Sequence, residues 1–348
     1  MVFVSSTIGK GESPMKMGLS TFGLDSLNSL IFNMHEFDLI KHYFTWTPVP
    51  SEVRLSVGDD AAILQIPPHE EFIISVDTLV EGVHFPVATP AHAVGYKALA
   101  VNLSDLAAMG AHPRWFTLAL TLPAVNQTWL EEFTRGLREL ATEHQIFLIG
   151  GDTTRGPLSI TIQVMGTAPK HQALLRQGAQ VGDLILVSGN LGEAAAGLAV
   201  IQQRLNLAHE DAADCIQRLN YPSPRVELGC WLRDYATSCM DVSDGLVADL
   251  KHLLKRSQVG AKLYHQNIPL SGALHKLNLS TALGLALTGG DDYELLFTLP
   301  QQHLEQLKQY QIVNQIKLSV IGEITQQIEQ VSLDYPLVNL PDGYNHFQ

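Results

Sequence analysis

The sequence predicts an α+β chain folded as two α/β-type domains. Its 348 residues exceed what one hydrophobic core ordinarily serves. Short apolar runs of strand length alternate with longer stretches of helical period through both halves. Near residue 168 the texture changes to APKHQALLRQGAQVGD, a polar connector with two glycines, and the domain boundary is set there. The expected organisation is a tail over 1–33, an N-terminal domain over 34–168 and a C-terminal domain over 169–348.

Residues 1–33 are rich in Ser, Gly and Thr, carry few large apolar residues and read as a disordered or extraneous tail. They lack the basic start and long apolar centre of a secretory signal. After Met34, HEFDLIKHYF reads as an amphipathic helix. LSVGDDAAIL (55–64) sets Asp59 and Asp60 side by side among apolar neighbours that suggest burial. FIISV (72–76) reads as a buried strand delivering Asp77 at its C-terminal end. AVGYKALAVNLSDLAAM (93–109) reads as a largely buried helix stopped at Gly110, with Asn102 and Asp105 on one face. WFTLALTL (115–122) is a strand. Leu130, Phe133, Leu137 and Leu140 then recur at helical spacing. IFLI (146–149) is a strand running into Gly150, Gly151 and Asp152, and LSITIQVMG alternates as a half-buried strand. The second half opens with the strand LILVSG (184–189) and the helix EAAAGLAVIQQRL. CMDVSDGLVADLKHLLK (239–255) reads as strand, acidic turn and helix, and LTGGDDYELLFTL (287–299) as a Gly-rich turn between buried segments.

The halves echo each other: LSDLAAMG with VSDGLVAD, LIGGDTT with LTGGDDY. The same 47 positions separate Asp105 from Asp152 and Asp244 from Asp291. Duplication of one α/β unit would explain this, and so would the shortness of the strings.

Composition excludes several functions. At 46% hydrophobic and 16% charged, the chain can bury a substantial core. Its apolar runs are broken short of the ~20 residues a membrane span needs. Cys215, Cys230 and Cys239 are too few and scattered for a disulfide framework, and none forms a CxxC pair. A cytoplasmic location is expected. The net charge of −13 argues against a nucleic-acid binder. It does not argue against a small phosphorylated ligand when divalent cations stand between acid and phosphate.

Asp59, Asp77, Asp105, Asp152, Asp244 and Asp291 each adjoin Gly, Ser or Thr near the end of an apolar segment, and Asp60, Asp241 and Asp292 lie two residues from one. Any one of them is most often a helix cap or turn residue. As a set they point to convergence on one cleft, where they cannot ionise together without cations. An all-carboxylate set favours Mg²⁺. GGDTTRG (150–156) offers close backbone approach to phosphate with Arg155, and Arg176 is a second phosphate contact. The chain lacks GxxxxGK[ST] and the protein-kinase signatures, so it is neither a P-loop enzyme nor a protein kinase.

GDDAAIL, SVDTLVEGVHF, YKALAVNLSDLAAMGA, IGGDTTRGP, MDVSDGL, GGDDYEL and GYNHF together closely resemble the thiamine-monophosphate kinase family. That family belongs with the aminoimidazole ribonucleotide and selenophosphate synthetases and a hydrogenase-maturation protein. The resemblance covers Met34 to Phe347. It implies an N-terminal mixed sheet with helices, a C-terminal α/β sandwich, an active site in the cleft between them, and a homodimer built largely through N-terminal strands. It implies phosphorylation of thiamine monophosphate to the diphosphate, the last step of that cofactor's biosynthesis, with ATP as co-substrate and several Mg²⁺. Transfer would be direct and in-line, with no residue as general base.

Carried over by motif, the implied metal positions are Asp60, Ser75, Val76, Asp77, Asp105, Asp152, Asp241 and Asp244. Val76 stands where the family often has Thr, so only its backbone carbonyl can serve. The implied nucleotide positions are Gly151, Asp152, Arg176 and Ser243; the substrate positions are His84, Asp291 and Tyr344. Asp291 stands where the family often has Glu, one methylene longer. The alternatives are a sibling synthetase, disfavoured by GVHF and GYNHF, and a non-catalytic nucleotide- or metal-binding module, disfavoured by acids in both domains.

Overall fold

The structure, a computed structural model, describes residues 36–335. The first half runs α1 (Glu36–Leu39, continued by a π-helical turn over Ile40–Phe44), β1 (Val53–Leu55), β2 (Ile63–Leu64), β3 (Glu70–Val80), α2 (Ala91–Ala108), β4 (His112–Leu122), α3 (Gln127–Glu143), β5 (Phe147–Arg155) and β6 (Ser159–Pro169). The second half runs β7 (Leu184–Ser188), α4 (Glu193–Ile201), α5 (His209–Asn220), α6 (Val226–Leu232), β8 (Ser238–Val242), α7 (Leu246–Ser257), β9 (Gly260–Leu263), α8 (Gly272–His275), α9 (Leu279–Thr288), β10 (Glu294–Leu299), α10 (Leu304–Asn314), β11 (Leu318–Thr325) and β12 (Val331–Leu333). Between β6 and β7 the chain forms neither helix nor strand.

β3, β6, β4 and β5 form one mixed sheet in that order, antiparallel except for the parallel pair β4–β5. Helices α2 and α3 pack on one face. Leu130, Phe133, Leu137 and Leu140 of α3 are fully buried there, as their spacing predicts. Asn126 starts that helix by accepting the Trp129 N–H at 3.0 Å. The β1–β2 hairpin covers part of the other face, around Trp115, Ile149 and Met165.

The second sheet has six strands in the order β12-β9-β11-β7-β10-β8, antiparallel except for β12–β9. Alternation along β10 feeds two cores. Leu296 faces α4, α5, α7, α8 and α9, while Leu295, Phe297 and Leu299 face α2, α6 and α10. The latter core is continuous with that of the first half, so α2 is shared between the two sheets. Truncating a fully buried leucine of α2, such as Leu103, to alanine costs ~2–5 kcal/mol. Where α6 crosses α2, a Cβ on Gly229 would lie 2.0 Å from the Ala107 carbonyl oxygen, so the contact demands glycine.

Four sequence expectations are corrected. Asp59 and Asp60 are exposed, because the hairpin covers only part of the sheet. Asp77 sits within β3, which extends to Val80, and Gly150, Gly151 and Asp152 lie inside β5 rather than in a turn after it. The echoing strings occupy unlike elements. LSDLAAMG lies mainly in α2, while VSDGLVAD spans the end of β8, a turn and α7; LIGGDTT is strand, while LTGGDDY joins α9 to β10. With different strand orders as well, the echo does not reflect a repeated unit.

Candidate functional site

A cleft of about 1040 Å³ opens between the two sheets, lined by Asp77, His84 and Asp105 from the first half and by Arg176, Asp241, Ser243, Asp244 and Asp291 from the remainder. Helix α2 organises it. Asn102 accepts the Asp77 N–H at 3.1 Å and donates to the Ala98 carbonyl at 2.9 Å, locking β3 to the helix. Ser104 donates to Asp241 Oδ2 at 2.8 Å, joining the halves. Asp105 accepts the Ser75 hydroxyl at 2.5 Å. Alternation puts Ser75 and Asp77 on the face toward α2 and turns the Val76 side chain, 54% exposed, the other way.

Burial and like charge act together on these acids. Asp241, 5% exposed, is pushed up to about 7, first by burial and then by the charge of Asp105. Asp77 rises to about 6 by burial, then by Asp105 and Asp244. Asp105 is raised by burial, against the opposing pull of the Ser75 hydroxyl and the Arg176 guanidinium. Such a set requires counter-charge when ionised, and its all-oxygen chemistry suits Mg²⁺. Among the described residues, no three His, Cys, Asp or Glu side chains stand close enough to enclose one ion.

His84 is set by the turn after β3, where Nδ1 accepts the Val80 N–H at 3.0 Å and places a neutral ring's proton on Nε2. Ser243 and Asp244 form the β8–α7 turn. Asp249 holds that turn by accepting both of their N–H groups, at 3.0 and 3.1 Å. Burial pushes Asp249 to about 7. Asp291 follows Gly290 at φ +70°, its N–H donating to the Ser243 carbonyl at 2.9 Å.

Asp60, Gly151 and Asp152 lie elsewhere, in a pocket of about 290 Å³ beside the hairpin. In register, Asp77 faces Ile162, Ile162 faces Leu118, and Leu118 faces Gly151. Three strand spacings therefore separate Asp77 from Gly151, about 14 Å. Gly151 also has a packing role, since a Cβ there would lie 1.9 Å from the Leu118 carbonyl oxygen. Tyr344 lies outside the described residues.

The sequence pattern singled out none of Lys97, Ser104 and Asp249, and Asp292, expected in the cleft with the other acids, is not among its lining residues. An acid in the first turn of the helix after VSDG was a legible capping signal for Asp249. Asp292 accepts the Gly192 N–H at 2.8 Å and so secures the start of α4, 100 positions away, which no local pattern reveals.

The chain matches the model of AIR synthase related proteins, the N-terminal domain over residues 58–168 and the C-terminal domain over 180–333. It is 46% identical to thiamine-monophosphate kinase of Escherichia coli K12, over 90% of this chain and 98% of that protein. It is 34% identical to the Bacillus subtilis protein of the same name, over 90% and 100%. The structure is similar to crystalline thiamine-monophosphate kinase from Stenotrophomonas maltophilia, with a TM-score of 0.78, 48% identity, and 82% and 92% coverage. It is also similar to AaThiL complexed with AMPPCP and TMP, with a TM-score of 0.72, 30% identity, and 81% and 89% coverage. The likeness to the hydrogenase maturation protein HypE, at 20% identity and a TM-score of 0.69, extends to the fold.

Proposed function

The chain belongs to the thiamine-monophosphate kinases of the AIR synthase related family, and from that premise we propose how its cleft works. It phosphorylates thiamine monophosphate to thiamine diphosphate, with ATP as co-substrate. The observation that carries the mechanism is the convergence of Asp77, Asp105, Asp241 and Asp244 from both halves on one cleft.

The attacking group is a phosphate oxygen of thiamine monophosphate, already ionised near neutral pH, so no side chain need act as base. Catalysis is positioning and charge neutralisation. Asp77, Asp105, Asp241 and Asp244 are the residues to hold Mg²⁺, with Ser75 and the Val76 carbonyl beside them. When bound, Mg²⁺ neutralises the oxygens of two polyanions as they meet. Ser75 orients Asp105 and opposes part of the rise that burial imposes on it. Ser104 fixes Asp241 relative to α2, so the two sheets present their carboxylates at a set separation. Arg176 and Ser243 receive the nucleotide in this cleft, and Gly151, about 14 Å from Asp77, would join them only from a second copy. His84, Asp291 and Tyr344 receive the thiamine substrate, the tyrosine by stacking.

The enzyme works as a cytoplasmic homodimer in this reading. Ile74 and Val76 are 52% and 54% exposed on the outward face of β3, an apolar surface suited to a second copy. Among the described residues the sheet has two unpaired edges, β3 carrying Asp77 and β5 carrying Asp152. Pairing β3 with the partner's β5 would bring the pocket of Asp60 and Asp152 toward the other copy's cleft.

The test is formation of thiamine diphosphate from thiamine monophosphate and ATP, with aminoimidazole precursors as the rival substrate. Turnover of the rival alone would sink the assignment. Light scattering at micromolar concentration tests the dimer, and a monomer that is fully active refutes it.

A further inference from the structure

Lys97 is 2% exposed, yet it is not part of the cleft wall. It lies on α2 at the start of the stripe that continues through Val101 to Asp105, about 12 Å from the latter along the axis. Its Nζ stands 3.1 Å from Asp291 Oδ2, across the boundary between the halves. The ammonium makes this ion pair without hydrogen-bond alignment, and among the described residues no acceptor satisfies its donors. A pair retained purely for stability ordinarily completes its hydrogen bonds, because burying an ammonium is costly. The other carboxylate oxygen, Oδ1, accepts the Tyr293 hydroxyl at 3.1 Å.

The backbone here is held just as firmly. Asp291 and Tyr293 both adopt left-handed conformations, at φ +70° and +50°. Their N–H groups donate to the Ser243 and Val242 carbonyls at 2.9 and 2.8 Å. Strain of this kind, over-determined by its surroundings, collects at functional turns.

We propose that Lys97 is a positioning residue for the thiamine substrate: it fixes the carboxylate of Asp291, so that the helix bearing Asp105 also sets the substrate end of the cleft. This rests on the reading that Asp291 contacts thiamine monophosphate. A carboxylate one methylene shorter than glutamate has less reach, and fixing its direction compensates.

Kinetics of the full chain with thiamine monophosphate and ATP test the proposal. Lys97→Met raises KM for thiamine monophosphate about 10-fold or more and leaves KM for ATP within about twofold. Lys97→Arg, which keeps the cation, restores KM to within about threefold of wild type. Unfolding would lower kcat through loss of active protein and leave both KM values in place. If Lys97→Met does not fold, Lys97→Met with Asp291→Asn leaves no unpaired charge. That double variant matches Asp291→Asn alone in KM when Lys97 acts through Asp291. An unchanged KM in Lys97→Met, a parallel rise in both KM values, or a double variant several-fold worse than Asp291→Asn overturns the proposal. Failure of the functional reading is a separate result, wild-type enzyme with no turnover that depends on thiamine monophosphate.

Discussion

In the cleft, Asp105 and Asp241 are held by the hydroxyls of Ser75 and Ser104, within or beside a helix shared by both sheets. On the hairpin, Asp59 and Asp60 stand exposed, joined by a local bond from the Asp60 N–H to Asp59 Oδ1 at 2.8 Å. Both regions carry the same residue type beside small neighbours. Burial separates them. The cleft carboxylates pay for desolvation and are preorganised for cations, whereas the hairpin acids are hydrated and need a second surface to give them a site.

The largest effect expected from this contrast is at Asp105. Asp105→Asn reduces turnover at least ~100-fold, by about 3 kcal/mol in the transition state, while the melting temperature holds. A folded variant retaining more than about a tenth of wild-type turnover breaks the distinction. Asp60→Asn, on the exposed hairpin, is expected to cost less, about 10-fold, and to raise the Mg²⁺ concentration needed for half-maximal rate. Equal losses at the two positions would erase the difference between the regions.

The protonation of the cleft sharpens the comparison further. Asp77 at about 6, and Asp241 and Asp249 at about 7, lie above the ~3.9 of an unfolded aspartate. The folded state therefore binds protons more readily than the unfolded one. This contribution is fully present below about pH 4 and is lost as pH rises through 6 to 7. Without divalent cations, the melting temperature should fall across that window, and Mg²⁺ should raise it more at pH 8 than at pH 5. Calorimetry showing a flat or rising profile in chelator would contradict the assignment of buried charge to the cleft.

Smaller effects belong to the chain ends. Tyr344→Ala is expected to raise KM for thiamine monophosphate several-fold, because stacking is worth about 0.5–1.5 kcal/mol beyond buried area, and to leave ATP within about twofold. Tyr344→Phe should be nearly silent; a phenylalanine as poor as alanine would assign the role to the hydroxyl. Protein begun at Met34 should match the full chain in melting temperature and turnover, and a loss in either would show that the tail contributes.

Helices with regular apolar spacing, such as α3, were legible because period and capping are local properties. So were the strands of alternating pattern and the acidic turn before α7. Asp77, Asp105 and Asp244 could be picked out from their small neighbours and Asp241 from its apolar flanks, and the ordered motifs pointed to the family. Local pattern could not say which acids share a cavity. Asp152 and Asp77 look alike in sequence, yet the register of four strands sends them to different pockets. Nor could it distinguish Asp291, facing the cleft, from Asp292, which secures a helix 100 positions earlier. The tie between Lys97 and Asp291 likewise joins residues nearly 200 positions apart. Such pairings depend on which faces meet when two sheets close on α2, and burial then decides which charges need a partner.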